Sequence, residues 1–235
     1  MRRWISGLMA LMLAGCATTN MAEVKGSPSA FLGKDAALLT PGEVSKGQAG
    51  LRYYDTAAQW GSYKKILLEP VSFWGDETTK VGTNDQQALG TYFNGALTKA
   101  FAERFEMVSA AAPGVVRLQV AVTDVEASTP GLRTISVVAP QARLLSAASS
   151  AVTGKQPFAG ALQIEAKLTD AQTGHLLSAV IARGIGGSSV KTAAQIQWGD
   201  AENAMDLFSK RAANNLWALT TGKATVAELP VPDEK

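Results

Sequence analysis

Reactive side chains are scarce in this chain of 235 residues, which holds one cysteine and one histidine. A single cysteine, Cys16, excludes an internal disulfide and a cysteine-type zinc site. The single histidine, His175, leaves a hydrolytic triad with one possible base. It lies beside Gly174 in a turn-forming run, where side chains are usually solvated. No G-x-S-x-G nucleophile elbow occurs. Thr153-Gly154-Lys155 ends like a phosphate loop, but Ser149 stands where that loop needs its first glycine. Gly184-Ile185-Gly186-Gly187 lacks the strand–turn–helix setting of a dinucleotide fingerprint. Asp124 and Glu126 share one strand face, yet glycoside chemistry usually takes two carboxylates across a cleft, so a solvated strand end is expected. Clustered oxygen or nitrogen ligands for a metal are missing as well. These absences lead to the expectation of a non-enzymatic protein without cofactor or metal.

Charge of one sign is also lacking. Lys+Arg 22 against Asp+Glu 20 leaves a net +2, and Arg2 and Arg3 supply that excess. Without the first 15 residues the balance is zero, so no basic face for nucleic acid is expected. No apolar run reaches the roughly 20 residues of a membrane span. Trp4–Ala14 is too short, and Thr134–Ser150 is short and poor in large residues.

What is present begins at the amino end. Arg2-Arg3, the apolar stretch to Ala14 and the small residues before Cys16 have the three-part layout of a secretory signal peptide. Leu13-Ala14-Gly15-Cys16 resembles the bacterial lipobox. That resemblance implies cleavage before Cys16, a diacylglycerol on its thiol and acylation of the new amino terminus. Ala17 rather than an aspartate follows, which by the sorting pattern of such signals implies the outer membrane, periplasmic side. Three acyl chains, at about 0.8 kcal/mol per buried CH2, make a permanent anchor.

Residues 16–50, rich in Ala, Thr, Ser, Gly and Pro, read as a lipidated tether. Phe31-Leu32 and Leu38-Leu39 imply that its second half docks. Ile66-Leu67-Leu68 predicts a buried strand that bulges or ends near Pro70. Leu89, Phe93, Leu97, Phe101 and Phe105 recur at spacing four and predict an amphipathic helix capped from Thr83-Asn84-Asp85. Val116 to Val122 alternates as a half-buried strand. Leu162 to Leu168 and Leu176 to Arg183 predict a β-hairpin around Asp170–Gly174. Ala201, Met205, Phe208, Ala212, Leu216 and Leu219 stripe a closing helix capped by Asp200 or a neighbour. Residues 223–235 read as a disordered tail.

Several segments resemble one family together: Leu51-Arg52-Tyr53, Tyr63-Lys64-Lys65 leading to Pro70-Val71, Thr153-Gly154-Lys155, Glu165, Asp170 to Gly174, and Trp198-Gly199-Asp200. In this order behind a lipobox they resemble the DUF3313 family of bacterial putative lipoproteins, from Phe31 to Leu219. Lys34 to Ala37 depart from the polar and aromatic group expected there. The resemblance implies no established activity.

The expected architecture is an α+β, mixed α/β two-layer domain over residues 51–222, with a mixed sheet of about four or five strands and two main packed helices. The expected function is a lipid-anchored envelope lipoprotein. It would meet the membrane through Cys16 and an envelope protein through a surface including Trp198, Trp74 and Asp200. Asp200 is better explained as a helix cap, and Trp198 likewise as a staple onto the helix. The competing expectation is a small-ligand binder or hydrolase for envelope glycans or lipids. Its pocket would gather Tyr53, Tyr54, Trp60, Trp74 and Trp198 around a carboxylate.

Overall fold

The computed structural model describes residues 19–74, 81–127, 160–186 and 198–232. The lipobox, Thr134–Ser150 and Thr153–Lys155 lie outside them. Period-two patterning builds the centre of one mixed sheet. β7 (Val115–Glu126) turns Val116, Leu118, Val120 and Val122 to one face, all buried. β8 (Ala161–Asp170) and β9 (Leu176–Ile185) form the expected hairpin, with Gly174 at φ +74 in its turn.

Shorter strands complete the sheet: β1 (Asn20–Ala22), β2 (Thr40–Pro41), β3 (Leu51–Tyr54), β4 (Lys65–Leu68), β5 (Ser72–Phe73) and β6 (Glu106–Met107). The order is β2-β3-β9-β8-β7-β4-β6, with β1 also on β9 and β5 also on β7. β4 and β5 run parallel to β7, and β6 runs parallel to β4. The nine strands among the described residues exceed the four or five expected, because strands of two to four residues are too short to show alternation. As expected, the strand run breaks at Pro70, which has no ladder N–H: β4 stops at Leu68 and β5 resumes at Ser72.

The two α-helices among the described residues cover one face. α1 (Thr83–Ala102) buries Leu89, Phe93, Leu97 and Phe101, and Phe105 follows just past its end. Each large side chain so buried stabilises by about 1.5–3 kcal/mol. α2 (Gly199–Thr220) buries Ala201, Met205, Phe208, Leu216 and Leu219 against the same core, with Ala212 half-buried. A Cβ on Gly184 of β9 would stand 3.0 Å from the Cβ of Ala204, so this glycine lets α2 lie close on the sheet. The cap expectations are corrected. The residue before α1 is Gly82, the one before α2 is Trp198, and neither makes a side-chain cap. Thr83 and Asp200 are already helical.

The second face carries the amino-terminal segment. Docking was expected for part of it, but the chain is engaged from Asn20, which opens β1 on β9. Leu32, buried, packs on Ala179 and Ile181 with Phe31, Ala36 and Leu39 around them. The 3-10 turn Gly33–Leu38 thus docks despite its departure from the expected family pattern. The other end of the chain also differs from expectation. Thr225 and Glu228 bond reciprocally in a capping box, Leu229 is buried, and the Val231 N–H donates to Asn215 Oδ1 at 3.0 Å. Leu229 packs in the core cluster under α2, so the chain is held there rather than frayed.

Candidate functional site

Trp198, Trp74 and Asp200 lie toward one end of the sheet, where β7 and β9 finish and β1 and β8 begin. Asp200 is buried in the first turn of α2, and its Oδ2 accepts from the Gly160 N–H at 2.8 Å. A Cβ on Gly186 would fall 2.3 Å from the Asp200 Cγ, so the glycine makes room for the carboxylate. Asp200 therefore ties α2 to the hairpin ends. Trp198 packs half-buried against the core. Trp74 is 46% exposed; its backbone N–H donates to the Val122 carbonyl at 2.8 Å and its indole N–H to the Ser72 hydroxyl at 3.0 Å. Its ring meets Phe31 edge to face at 5.9 Å. The first two residues are structural at their buried atoms, and Trp74 is the one left open.

The second face holds a polar ladder that alternation had implied was solvated. Successive odd-numbered residues of β8 clamp the amino-terminal segment. Gln163 accepts from the Lys25 N–H at 2.8 Å and donates back to the Lys25 carbonyl at 3.0 Å. Glu165, 1% exposed, accepts from the Ser29 N–H at 2.6 Å and its hydroxyl at 2.7 Å. Lys167 donates to the Phe31 carbonyl at 3.1 Å and sits over its ring at 4.9 Å. Asp124 and Glu126 do share a face, but they are not a solvated end. Buried Arg183 donates to Asp124 at 2.7 Å and to Glu126 at 2.5 Å, and Lys25 adds a weaker contact.

At the opposite end of the sheet the imidazole of His175 meets Asp55 Oδ2 at 2.7 Å. That bond, with the N–H of Ala57, holds the Asp55 carboxyl below its ordinary range. Nearby, the Tyr63 hydroxyl donates to Asp170 at 3.1 Å, and burial together with that carboxylate pushes it up to about 12. The Thr173 hydroxyl donates to Asp170 at 2.9 Å instead of facing the imidazole. The pair thus fixes the hairpin turn to the Asp55 loop.

Between the sheet and α2 lies an apolar cavity of about 110 Å³, lined by Tyr54, Phe93, Ile164, Val180, Phe208 and Leu229 among others. A neighbouring one of about 60 Å³ shares Tyr54, Val180 and Asn215 with it. Two of its lining residues donate to backbone carbonyls, Arg52 to Leu229 at 3.2 Å and Arg211 to Gly47 at 3.3 Å. Ligand pockets usually offer several hundred Å³. Of the five aromatics expected to gather, Tyr54 alone lines this cavity, and no carboxylate does. Trp60 is buried elsewhere in the core, and Tyr53 packs on the other face. No signal in the sequence locates the cavity, because its walls come from β3, β7, β8, β9, both helices and the carboxyl-terminal segment. Among the described residues no group of three or more His, Cys, Asp or Glu could hold a metal ion.

No curated protein matches the chain. Among solved structures it is similar to a PelC dodecamer from Paraburkholderia phytofirmans, at 10% identity and TM-score 0.35, covering 68% of this chain and 94% of that one. It is also similar to protein XCC0632 from Xanthomonas campestris, of the DUF330 family model, at 15% identity and TM-score 0.40, covering 72% and 91%. The model of the family described as "Protein of unknown function (DUF3313)" matches residues 27–212, from the segment on the polar ladder through most of α2, and the chain belongs to that family.

Proposed function

We propose that this chain is an envelope lipoprotein, anchored through Cys16 to the outer membrane and facing the periplasm, that acts as a non-enzymatic binding or adaptor module. The observation that carries the proposal is Leu13-Ala14-Gly15-Cys16 behind Arg2-Arg3 and a short apolar stretch. Supporting it, groups that could do chemistry are engaged in structural bonds: Asp124 and Glu126 with Arg183, Asp200 with Gly160, and His175 with Asp55. The partner is an envelope protein. Palmitate labelling in cells tests the anchor, and Cys16→Ser should abolish the label and leave the precursor uncut. Label that survives Cys16→Ser would remove the premise. Affinity purification of the crosslinked lipoprotein should return an envelope partner. Turnover of a cell-wall substrate by the purified domain, with no partner recovered, would overturn the adaptor reading.

The apolar cavity favours a second reading, a binder of small amphiphiles with an anionic end for Arg52 and Arg211. Displacement of a fluorescent fatty acid from the purified protein would support it.

A further inference from the structure

A cation and a void lie side by side near the margin of the sheet. Arg52 and Tyr54, two residues apart on β3, both line the apolar cavity of about 110 Å³. Among the described residues no carboxylate stands within ion-pair distance of Arg52. Its guanidinium makes one hydrogen bond among them, to the Leu229 carbonyl at 3.2 Å. Gln48 Nε2 donates to that same oxygen at 3.1 Å. A guanidinium offers several donors in a planar fork that matches a carboxylate. A neutral oxygen therefore holds a place where an anion would bind more strongly, since charge-assisted hydrogen bonds are roughly twice as strong as neutral ones.

That oxygen belongs to a lightly held segment. Among the described residues three hydrogen bonds join residues 225–232 to the rest of the chain. Two fall on the Leu229 carbonyl, and the third runs from the Val231 N–H to Asn215 Oδ1. The capping box of Thr225 and Glu228 is internal to the segment and survives if the segment moves. Within residues 225–232 Leu229 alone is buried, and its side chain packs with the core beside the void. Phe93, Leu118, Val120, Ile164 and Phe208 wall the rest. An apolar cavity of about 150 Å³ accepts benzene. The void as it stands takes the last few carbons of a chain, and withdrawal of the Leu229 side chain adds room for more.

We propose that Leu229 is a displaceable plug that stands in for a ligand, a single alkyl chain ending in a carboxylate. The carboxylate takes the donors of Arg52 and Gln48, the chain fills the void and the place of the Leu229 side chain, and residues 225–232 swing away from α2. This inference rests on the reading of the cavity as a site for small amphiphiles. The apparent Kd then exceeds the intrinsic one by the inverse of the fraction of molecules with the plug withdrawn.

The test titrates sodium decanoate into the full chain in phosphatidylcholine vesicles, with vesicles alone as the blank. Saturating decanoate should speed amide hydrogen exchange of residues 225–232 several-fold and leave α1 as it was. Decanol and decyltrimethylammonium, with the same chain and no anion, should not. By calorimetry Leu229→Ala should tighten decanoate binding about tenfold, because the plug is weakened. Arg52→Gln should loosen it about tenfold or more, the worth of a charged hydrogen bond. Decanoate that binds while exchange of residues 225–232 stays the same or slows overturns the plug and leaves the amphiphile reading standing. Decanol that binds as tightly as decanoate overturns the role of Arg52. Decanoate that binds neither the full chain nor Leu229→Ala overturns the plug and the amphiphile reading together.

Discussion

Gly186 has no side chain because Asp200 occupies the place a Cβ would take. Gly186→Ala should cost about 2–3 kcal/mol, as overpacking does in a closed site, and lower the melting temperature by several degrees. Adding Asp200→Ala should recover part of that loss, and a double-mutant cycle by calorimetry reads the coupling. Glu202 behaves differently. Burial, then the neighbouring Asp206, raises its carboxyl above the ordinary glutamate range. The folded chain therefore holds that proton more readily than the unfolded one. The stability from this group is full below the unfolded value and is lost as pH rises through the raised one. Glu202→Gln should lift the melting temperature by about 1–2 °C at neutral pH, and the gain should vanish near pH 4. A gain equal at both pH values would contradict this account.

At the scale of elements, the amino-terminal segment behaves as an added layer of the fold. Its contacts are directional: a side-chain amide pairing at Gln163, a buried carboxylate at Glu165 and a cation over a ring at Lys167. Charge-assisted hydrogen bonds of this kind contribute about 1.5–3 kcal/mol each. Glu165→Ala should therefore speed hydrogen exchange of residues 24–35 by an order of magnitude or more. β7 and α1 should exchange as before, since Phe93 and Val120 pack on the other face. Exchange that accelerates equally everywhere would mean the segment is part of the cooperative core. The helices owe little to side-chain caps and much to one continuous apolar stripe, which explains why their existence was easier to read than their starts.

For the whole molecule, both chain ends close the structure. The amino-terminal segment covers one sheet face, and Leu229 plugs the cavity under α2 on the other. Deleting the chain from Val226 onward should cost about 2–3 kcal/mol, the worth of one buried leucine. It should also raise binding of a hydrophobic dye, because the cavity then opens to water. A truncated protein as stable as the full chain and equally inert to the dye would show that the plug is not needed. The same arrangement leaves the two ends of the sheet unlike each other, one near the proposed anchor and one carrying the hairpin turn.

Much of this was legible in the residues alone because it depends on local order. The period-four stripe of Leu89 to Phe105 produced α1, the alternation of Leu162 to Leu168 with the turn at Gly174 produced the hairpin, and Pro70 broke a strand. Family membership also lay in the order of short segments, and the family match spans them. Other features waited for the tertiary structure because they depend on what arrives from far along the chain. Gln163, Glu165 and Arg183 look like solvent-facing residues until residues 24–31 and β7 cover and pair with them. Asp200 looks like a helix cap until Gly160 presents its N–H. The stretch to Gly50 looks like a loose tether because weak local preference says nothing of backbone pairing with β9. Sequence determined the elements and the family, and long-range pairing alone decided which polar groups are buried and that the chain joins the sheet from Asn20.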